Sequence, residues 1–265
     1  MISWLRRKAG PPDAADVMKR AIILKCLIVR ALAVPPDEFL QECRAQWSEE
    51  EWNSFVSAER SLAAENVRRL HDERLWGQMD ADERNFMEAP LTDVTPQARI
   101  DASWLAEGAM CLLWALGFVA EILPYDRQAE VELTNTVPKE PVLVLVKKAE
   151  LRSAGLIEKQ RSVAELWHWR ARTRQLQESG QVTNVLAGKY TVSEVLQISS
   201  RTASDNGDCP PPIDGDFPAF GKAYRDLTKQ EFSAAMSIAM ERHRAFNWLC
   251  GYAPGNRWSE TPTDT

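Results

Sequence analysis

The chain has 265 residues and a formal net charge of −6, and hydrophobic residues make up 45% of it. A chain of this length and composition can bury a hydrophobic core without disulfides or a structural metal. The net negative charge argues against a nucleic-acid-binding protein, because contacts to phosphates need a basic surface. We therefore expect a globular protein that does not contact nucleic acid directly.

The cysteines and the most apolar segment indicate the compartment. None of the five cysteines forms a C-x-x-C pair, and no ligands cluster at the spacing of a zinc site. The sequence therefore predicts free thiols, no metal and no cofactor. Residues 21–34 contain Lys25 and Arg30 and fall short of the roughly 20 apolar residues that span a bilayer. We expect a cytoplasmic protein without a membrane contact.

Helix start signals recur along the chain, and the apolar residues between them have helical spacing. The predicted helices run from Asp13 to about Val34, over 37–46, from Ser48 to about Trp76, from Asp80 through Glu88, from Thr95 to Gly117, over 161–177, over 193–201, and from Thr228 to about Cys250. Ser48 with Glu51 and Thr228 with Glu231 have capping-box spacing, and Pro96 follows a Thr95 N-cap. The fold class is mainly α.

Two short segments are predicted to be extended. The β-branched run Val142–Val146 is bounded by a proline and two lysines, which is typical of a strand. Residues 217–224 follow a loop rich in turn formers at 204–216. No flexible linker divides the chain, so residues 1–265 are expected to form one domain.

Three blocks near the end resemble a known family: DFPAFGKAYRDLT (216–228), ERHRAFNWLCG (241–251) and the closing W…TPTDT. The tryptophan-rich WLAEGAMCLLWALG (104–117) and the block at 150–170 are similar to it as well. The family is the bacterial one catalogued as domain of unknown function 4272. The resemblance covers roughly residues 95–265, whereas residues 1–94 look less family-like. It implies a mostly helical cytosolic protein and carries over no activity or site residue.

Several catalytic arrangements are disfavoured by spacing. No P-loop, G-x-G-x-x-G, G-x-S-x-G or H-E-x-x-H motif occurs. Glu165 and His168 have the spacing of a di-iron ligand pair, but no second such pair exists. His243 and Cys250 lie about 10 Å apart along one helix, too far for a thiolate–imidazole pair. Catalysis stays an open question, and the sequence favours a non-catalytic protein.

Some of the ten tryptophans lie beside polar residues. Most tryptophans are expected in the core because they bury large apolar areas. An alternative is a groove for a small molecule, in an enzyme or a sensor, because ligand sites combine aromatic walls with a few polar groups. Its candidate residues are Trp104, Glu107, Trp169, Arg170, His243 and Asn247.

Charge is distributed unevenly. Residues 37–101 hold 7 basic and 16 acidic side chains, a net charge of −9, whereas residues 1–36 hold 7 basic and 2 acidic ones. The densest acidic residues are Glu49, Glu50, Glu51, Asp72, Glu73, Asp80, Asp82 and Glu83. They form either a solvated surface with helix-start acids or a docking face for a basic protein.

The leading functional hypothesis follows from this acidic segment. We expect a protein-binding protein that neutralises a basic partner, such as a nuclease-like bacterial toxin, in the manner of an immunity protein. The protein itself is expected to be a monomer or a homodimer, and a structural subunit of a homo-oligomer is a further alternative.

Overall fold

The computed structural model describes residues 10–181, 184–185 and 190–264. The helices are α1 (Ala14–Ala33), α2 (Asp37–Gln46), α3 (Glu49–Asp72), α4 (Ala81–Glu88), α5 (Pro96–Ala115), α6 (Val142–Lys148), α7 (Ala154–Glu178), α8 (Val192–Asp205) and α9 (Lys229–Leu249). The described residues also include two antiparallel pairs of two-residue strands. In one, β1 (Asn184–Val185) pairs with β2 (Tyr190–Thr191), and in the other β3 (Pro218–Ala219) pairs with β4 (Lys222–Ala223). The predicted mainly α class is confirmed.

Five helices, α1, α3, α4, α5 and α9, begin at the predicted capping residues, whereas α7 begins at Ala154, seven residues before its predicted start. The Ser48 and Thr228 side chains each accept a hydrogen bond from the backbone N–H three residues on, and the glutamate there bonds back to the cap. Asp13 and Thr95 cap α1 and α5 in the simpler one-sided way. Local side-chain chemistry, which is readable in sequence, thus sets these starts.

The end of α3 differs from its prediction. The helix stops at Asp72 rather than near Trp76. Arg74 adopts a left-handed conformation, with φ of 59°, and the Leu75 N–H donates to the Leu70 carbonyl. This turn places the Leu75 side chain in the core, where it is fully buried. Burial of that leucine therefore decides where the helix ends.

The predicted strand at 142–146 is wrong, because these residues form the first part of α6. Pro141 precedes the first turn, where its missing N–H leaves no helical bond unmade. Val142 and Leu145 are buried, three residues apart as on one face of a helix, and α6 packs against α1. Helix packing therefore outweighs the β-propensity of the three valines.

The predicted extended piece at 217–224 is in part a hairpin. Its two strands, β3 and β4, are joined by Phe220 and Gly221, which both have positive φ, as in the tight turns that match the twist of a hairpin. Tyr224 already begins a short 3-10 turn, so only four residues are paired strand.

A bundle of four helices forms the core. α5 lies between α1 and α9, and α7 packs on the other side of α9. Gly108 in α5 is placed where a Cβ would lie 3.2 Å from the Trp258 ring and 3.7 Å from Leu24 of α1, so the C-terminal segment approaches this position most closely. Every described helix is too short or too polar to cross a membrane. We call α1, α5, α7 and α9 the core bundle.

Candidate functional site

The predicted acidic residues lie on α3 and α4 and in the turn between them. We call these helices, together with α2 and the connecting turns, the outer region. Its long helix α3 has 24 residues, of which only Ala63 and Leu70 are buried. Its main contacts are with α4 and the turns that flank it. Most of the surface of α3 is consequently available to solvent or to a partner.

An aromatic cluster connects α2 to α3. Trp47, Trp52 and Phe55 have ring centroids 5.5–6.4 Å apart, and the Arg44 guanidinium lies 5.3 Å from the Trp52 ring. All three aromatic side chains are half-buried. The cluster holds the turn together, and aromatic residues and arginine of this kind are enriched in binding surfaces.

Three of the predicted acids have structural roles. The Glu51 carboxylate accepts hydrogen bonds from Ser48, which lower its pKa. Asp80 caps α4 together with Glu83. Glu83 also forms an ion pair with the Arg20 guanidinium at 2.6 Å. Only 11% of the Glu83 side chain is exposed, and this burial raises its pKa. Glu83 therefore joins the outer region to α1 and is not displayed at the surface.

The remaining acids lie at the surface. Glu49 is 72% exposed and pairs with Arg44 at 3.0 Å, and half-buried Glu73 pairs with Arg69 at 3.3 Å. Glu50, Asp72 and Asp82 are exposed and have no ion-pair partner within the described part of the chain. Glu49, Glu50, Asp72 and Asp82 are thus the acids that a partner would reach.

The residues of the alternative groove lie in several places. Glu107 is fully buried, and its carboxylate pairs with Arg242 at 2.7 Å and accepts from the Ala129 N–H at 2.6 Å. The same arginine donates to the carbonyls of Pro124 and Arg127. This pair ties α5 and α9 to the loop that follows α5.

A second buried ion pair holds Arg170. Its guanidinium donates to both oxygens of Asp216, at 2.7 and 2.6 Å, and neither side chain is exposed. Asp216 also accepts from the N–H groups of Phe217 and Arg225. The pair anchors the loop before β3 to α7.

The third group joins His243 and Asn247 to His168. Asn247 Nδ2 donates to the Pro262 carbonyl and lies 2.9 Å from His243 Nε2, and the two histidine Nδ1 atoms are 3.0 Å apart. Since an amide N–H donates, His243 Nε2 accepts, so the proton of neutral His243 is on Nδ1 and points to His168 Nδ1. Burial lowers the pKa of His168 to about 4 and that of His243 to about 3.

The structure thus brings His243 and Asn247 together and gives Glu107 and Arg170 separate partners. Trp104 and Trp169 are both half-buried, and the Trp169 ring lies edge-on to Phe217. Glu165 pairs with Arg161, and no group of three or more metal-ligating side chains occurs within the described ranges.

Sequence reasoning missed Arg242 and Asp216 and the contact between the histidines. Glu107 and Arg242 are 135 positions apart, and His168 and His243 are 75 apart. Pairings at such separations have no local pattern. A signal did exist in the runs of charged residues inside otherwise apolar helices, because buried charges need partners.

Comparisons with known proteins give one match. Residues 6–188 match the family model described as a domain of unknown function, DUF4272. The matched range includes most of the N-terminal part that looked less family-like and ends before the C-terminal blocks that carried the resemblance. No curated protein and no solved structure matches the chain.

Proposed function

The chain belongs to the family of DUF4272 proteins, and on that premise we propose that it is a non-catalytic binding protein that neutralises a basic protein partner. The partner docks on the outer region, as a nuclease-like toxin docks on an immunity protein. The observation that carries the proposal is the exposure of α3, which buries only two of its 24 residues. A helix in a monomer normally covers an apolar stripe against its own core.

The composition of the exposed surface supports a basic partner. Glu49, Glu50, Asp72 and Asp82 are exposed, and the segment 37–101 has a net charge of −9 from 7 basic and 16 acidic side chains. Leu62 on α3 and Phe39 on α2 are about half exposed, at 47% and 49%. Apolar contacts would supply affinity, and the acids would speed association with a positively charged surface.

The test begins with purification of the tagged protein from its source cells and identification of the basic protein that co-purifies. The variant Glu50→Lys/Asp72→Lys/Asp82→Lys reverses three acids that have no described ion pair. We expect its association rate to fall about tenfold or more. The control Glu130→Lys/Glu132→Lys/Glu150→Lys changes net charge equally at exposed positions outside the outer region.

Two further measurements complete the test. Raising the salt concentration from about 0.05 to about 0.3 M should slow association of the unaltered protein and of the control, because salt screens exposed charges. Co-expression should also restore growth of cells that produce the partner. Equal association rates for the two triple variants, or continued toxicity in the presence of the bound complex, would refute the proposal.

A further inference from the structure

The corner between α2 and α3 already holds a cation against an aromatic surface. The Arg44 guanidinium lies 5.3 Å from the centre of the Trp52 ring, and the same group donates to the Glu49 carboxylate at 3.0 Å. A cation that lies over an indole face beside a carboxylate is held by both a cation–π contact and a charged hydrogen bond. The corner therefore contains a cation site that the chain fills with its own arginine.

This cation site can be reached from solvent. The Arg44 and Glu49 side chains are 46% and 72% exposed, and Trp52 is half-buried. An exposed ion pair contributes little to stability, because water competes for both charges and salt screens them. Moving the Arg44 guanidinium away from Trp52 into solvent consequently costs the folded chain little.

The aromatic surface is held in place by its neighbours. The Trp47 and Phe55 rings lie 6.4 and 5.9 Å from the Trp52 ring, and they are 5.5 Å from each other. Because the three rings pack against one another, the Trp52 ring keeps its orientation when Arg44 moves. The site is thus formed before a partner arrives, which reduces the ordering cost of binding.

The charge of the corner favours a cation as the incoming group. Residues 42–52 hold four acidic side chains and one basic side chain, which is Arg44 itself. Glu42, Glu49 and Glu50 are exposed. An incoming cation that replaces Arg44 restores the charge balance of the corner, whereas an anion or a neutral group does not.

We propose that an arginine side chain of the basic partner displaces Arg44 and lies between the Trp52 ring and the Glu49 carboxylate. This inference rests on the proposed function, and it names the contact that the partner makes at the corner of α2 and α3. Arginine fits better than lysine, because its planar guanidinium both stacks on an indole and donates to a carboxylate. Arg44 is then an internal competitor that weakens the binding of the partner.

Fluorine NMR tests the proposal on the full chain with fluorotryptophan at its ten tryptophan positions. Trp52→Phe identifies the Trp52 resonance, because only that signal disappears. The probe is a peptide of alternating glycine and arginine, and its control has citrulline in place of arginine. We expect the Trp52 resonance to shift with the arginine peptide and to stay in place with the citrulline peptide. An unmoved Trp52 resonance up to about 1 mM arginine peptide would overturn the proposal.

A variant without the internal competitor should bind the probe more tightly. Arg44→Gln alters an exposed side chain, leaves folding intact, and should lower the dissociation constant of the arginine peptide at least about threefold. Arg60→Gln is the control, because it removes the same charge from an exposed position about 12 Å from Trp52 along α3. Equal gains in the two variants would mean that long-range attraction alone acts, and would overturn the proposal.

The two proposals can fail separately. The peptide titration needs no identified partner, so its result stands even if no basic protein is neutralised by the chain. A partner might instead depend on Glu50, Asp72 and Asp82 for association and bind Arg44→Gln and Arg60→Gln equally well. That outcome would leave the proposed function in place and overturn the inference about Trp52.

Discussion

The core bundle and the outer region both contain many charged residues, but they differ in how far those residues are buried. Helix α9 buries 11 of its 21 residues, among them Glu241, Arg242 and His243, whereas α3 buries 2 of 24. In α9, Arg242 is fully buried and pairs with Glu107 from a distant part of the chain, whereas buried Glu241 pairs with Arg244 in the same helix. The charged side chains of α3, apart from half-buried Glu59, lie outside, where they pair locally or meet solvent. Charge content alone does not distinguish a core helix from a docking helix.

The comparison also separates stability from recognition. Removing one member of a buried ion pair leaves an uncompensated charge in a poorly hydrated environment, so the whole fold responds. Removing an exposed acid changes the free energy of unfolding little, since exposed pairs contribute about 1 kcal/mol or less. Substitutions in the outer region should therefore affect binding, and those in the core bundle should affect folding.

The largest effect is expected from truncation. A chain that ends at residue 188 keeps the whole family match but lacks α9, the helix against which both α5 and α7 pack. We expect it to show no cooperative thermal unfolding transition by circular dichroism. Ser57→Pro, at an exposed position inside α3, should disrupt that helix at a local cost of about 3 kcal/mol and leave the core transition intact. Cooperative unfolding of the truncated chain would show that α9 is dispensable.

The buried ion pair between Glu107 and Arg242 gives the next effect. Arg242→Leu should lower the free energy of unfolding by about 3–5 kcal/mol, because Glu107 then has no buried counter-ion. Adding Glu107→Leu should recover part of this loss. Urea denaturation measures both, with Arg44→Leu as the control, where the exposed pair with Glu49 predicts less than about 1 kcal/mol. Equal losses in Arg242→Leu and Arg44→Leu would contradict the distinction between the two regions.

The buried histidines of the core bundle predict a loss of stability at mildly acidic pH. Burial lowers the pKa of His168 to about 4 and that of His243 to about 3, from 6.5. As pH falls below 6.5, these histidines become protonated in the unfolded chain while they stay neutral in the folded chain, so the free energy of unfolding decreases. The slope approaches about 1.4 kcal/mol per pH unit for each histidine.

Denaturation between pH 7 and pH 5 measures this slope, and comparison with histidine variants separates it from the contribution of carboxylates such as Glu83, whose pKa is raised by burial. The double variant His168→Leu/His243→Leu should reduce the slope strongly. Exposed His71→Gln is the control and should leave it unchanged. A slope that persists in the double variant would place its origin elsewhere.

The smallest effects are expected at the two matched capping boxes. Ser48→Ala and Thr228→Ala each remove one N-cap, at a cost of about 1 kcal/mol. For α9 the loss should appear in global unfolding, because the helix is central to the core bundle. For α3 it should appear as faster amide exchange confined to that helix. Amide hydrogen exchange distinguishes the two outcomes. If Ser48→Ala also speeded exchange throughout the core bundle, α3 would be part of the core.

Much of the secondary structure was predictable because its determinants are local. Asp13, Ser48, Asp80, Thr95 and Thr228 each cap a helix at the position that their spacing indicated. The strand prediction for residues 142–146 was wrong because β-branched composition is a weak predictor of a strand when the segment packs against a helix. The predicted end of α3 was wrong because it depends on the burial of Leu75, 12 residues beyond Ala63. The pattern of residues within the helix does not reveal that contact.

The sequence alone determined the helical class, most helix starts, the uneven charge and the likeness to its family. These depend on neighbouring residues or on composition. Tertiary structure decided which charges became internal. In the folded chain Glu107 pairs with Arg242, Arg170 pairs with Asp216, and His168 contacts His243. Glu50 and Asp72 remain exposed. The physical reason is that the cost of burying a charge depends on partners at hydrogen-bond distance, and these are brought close only by folding.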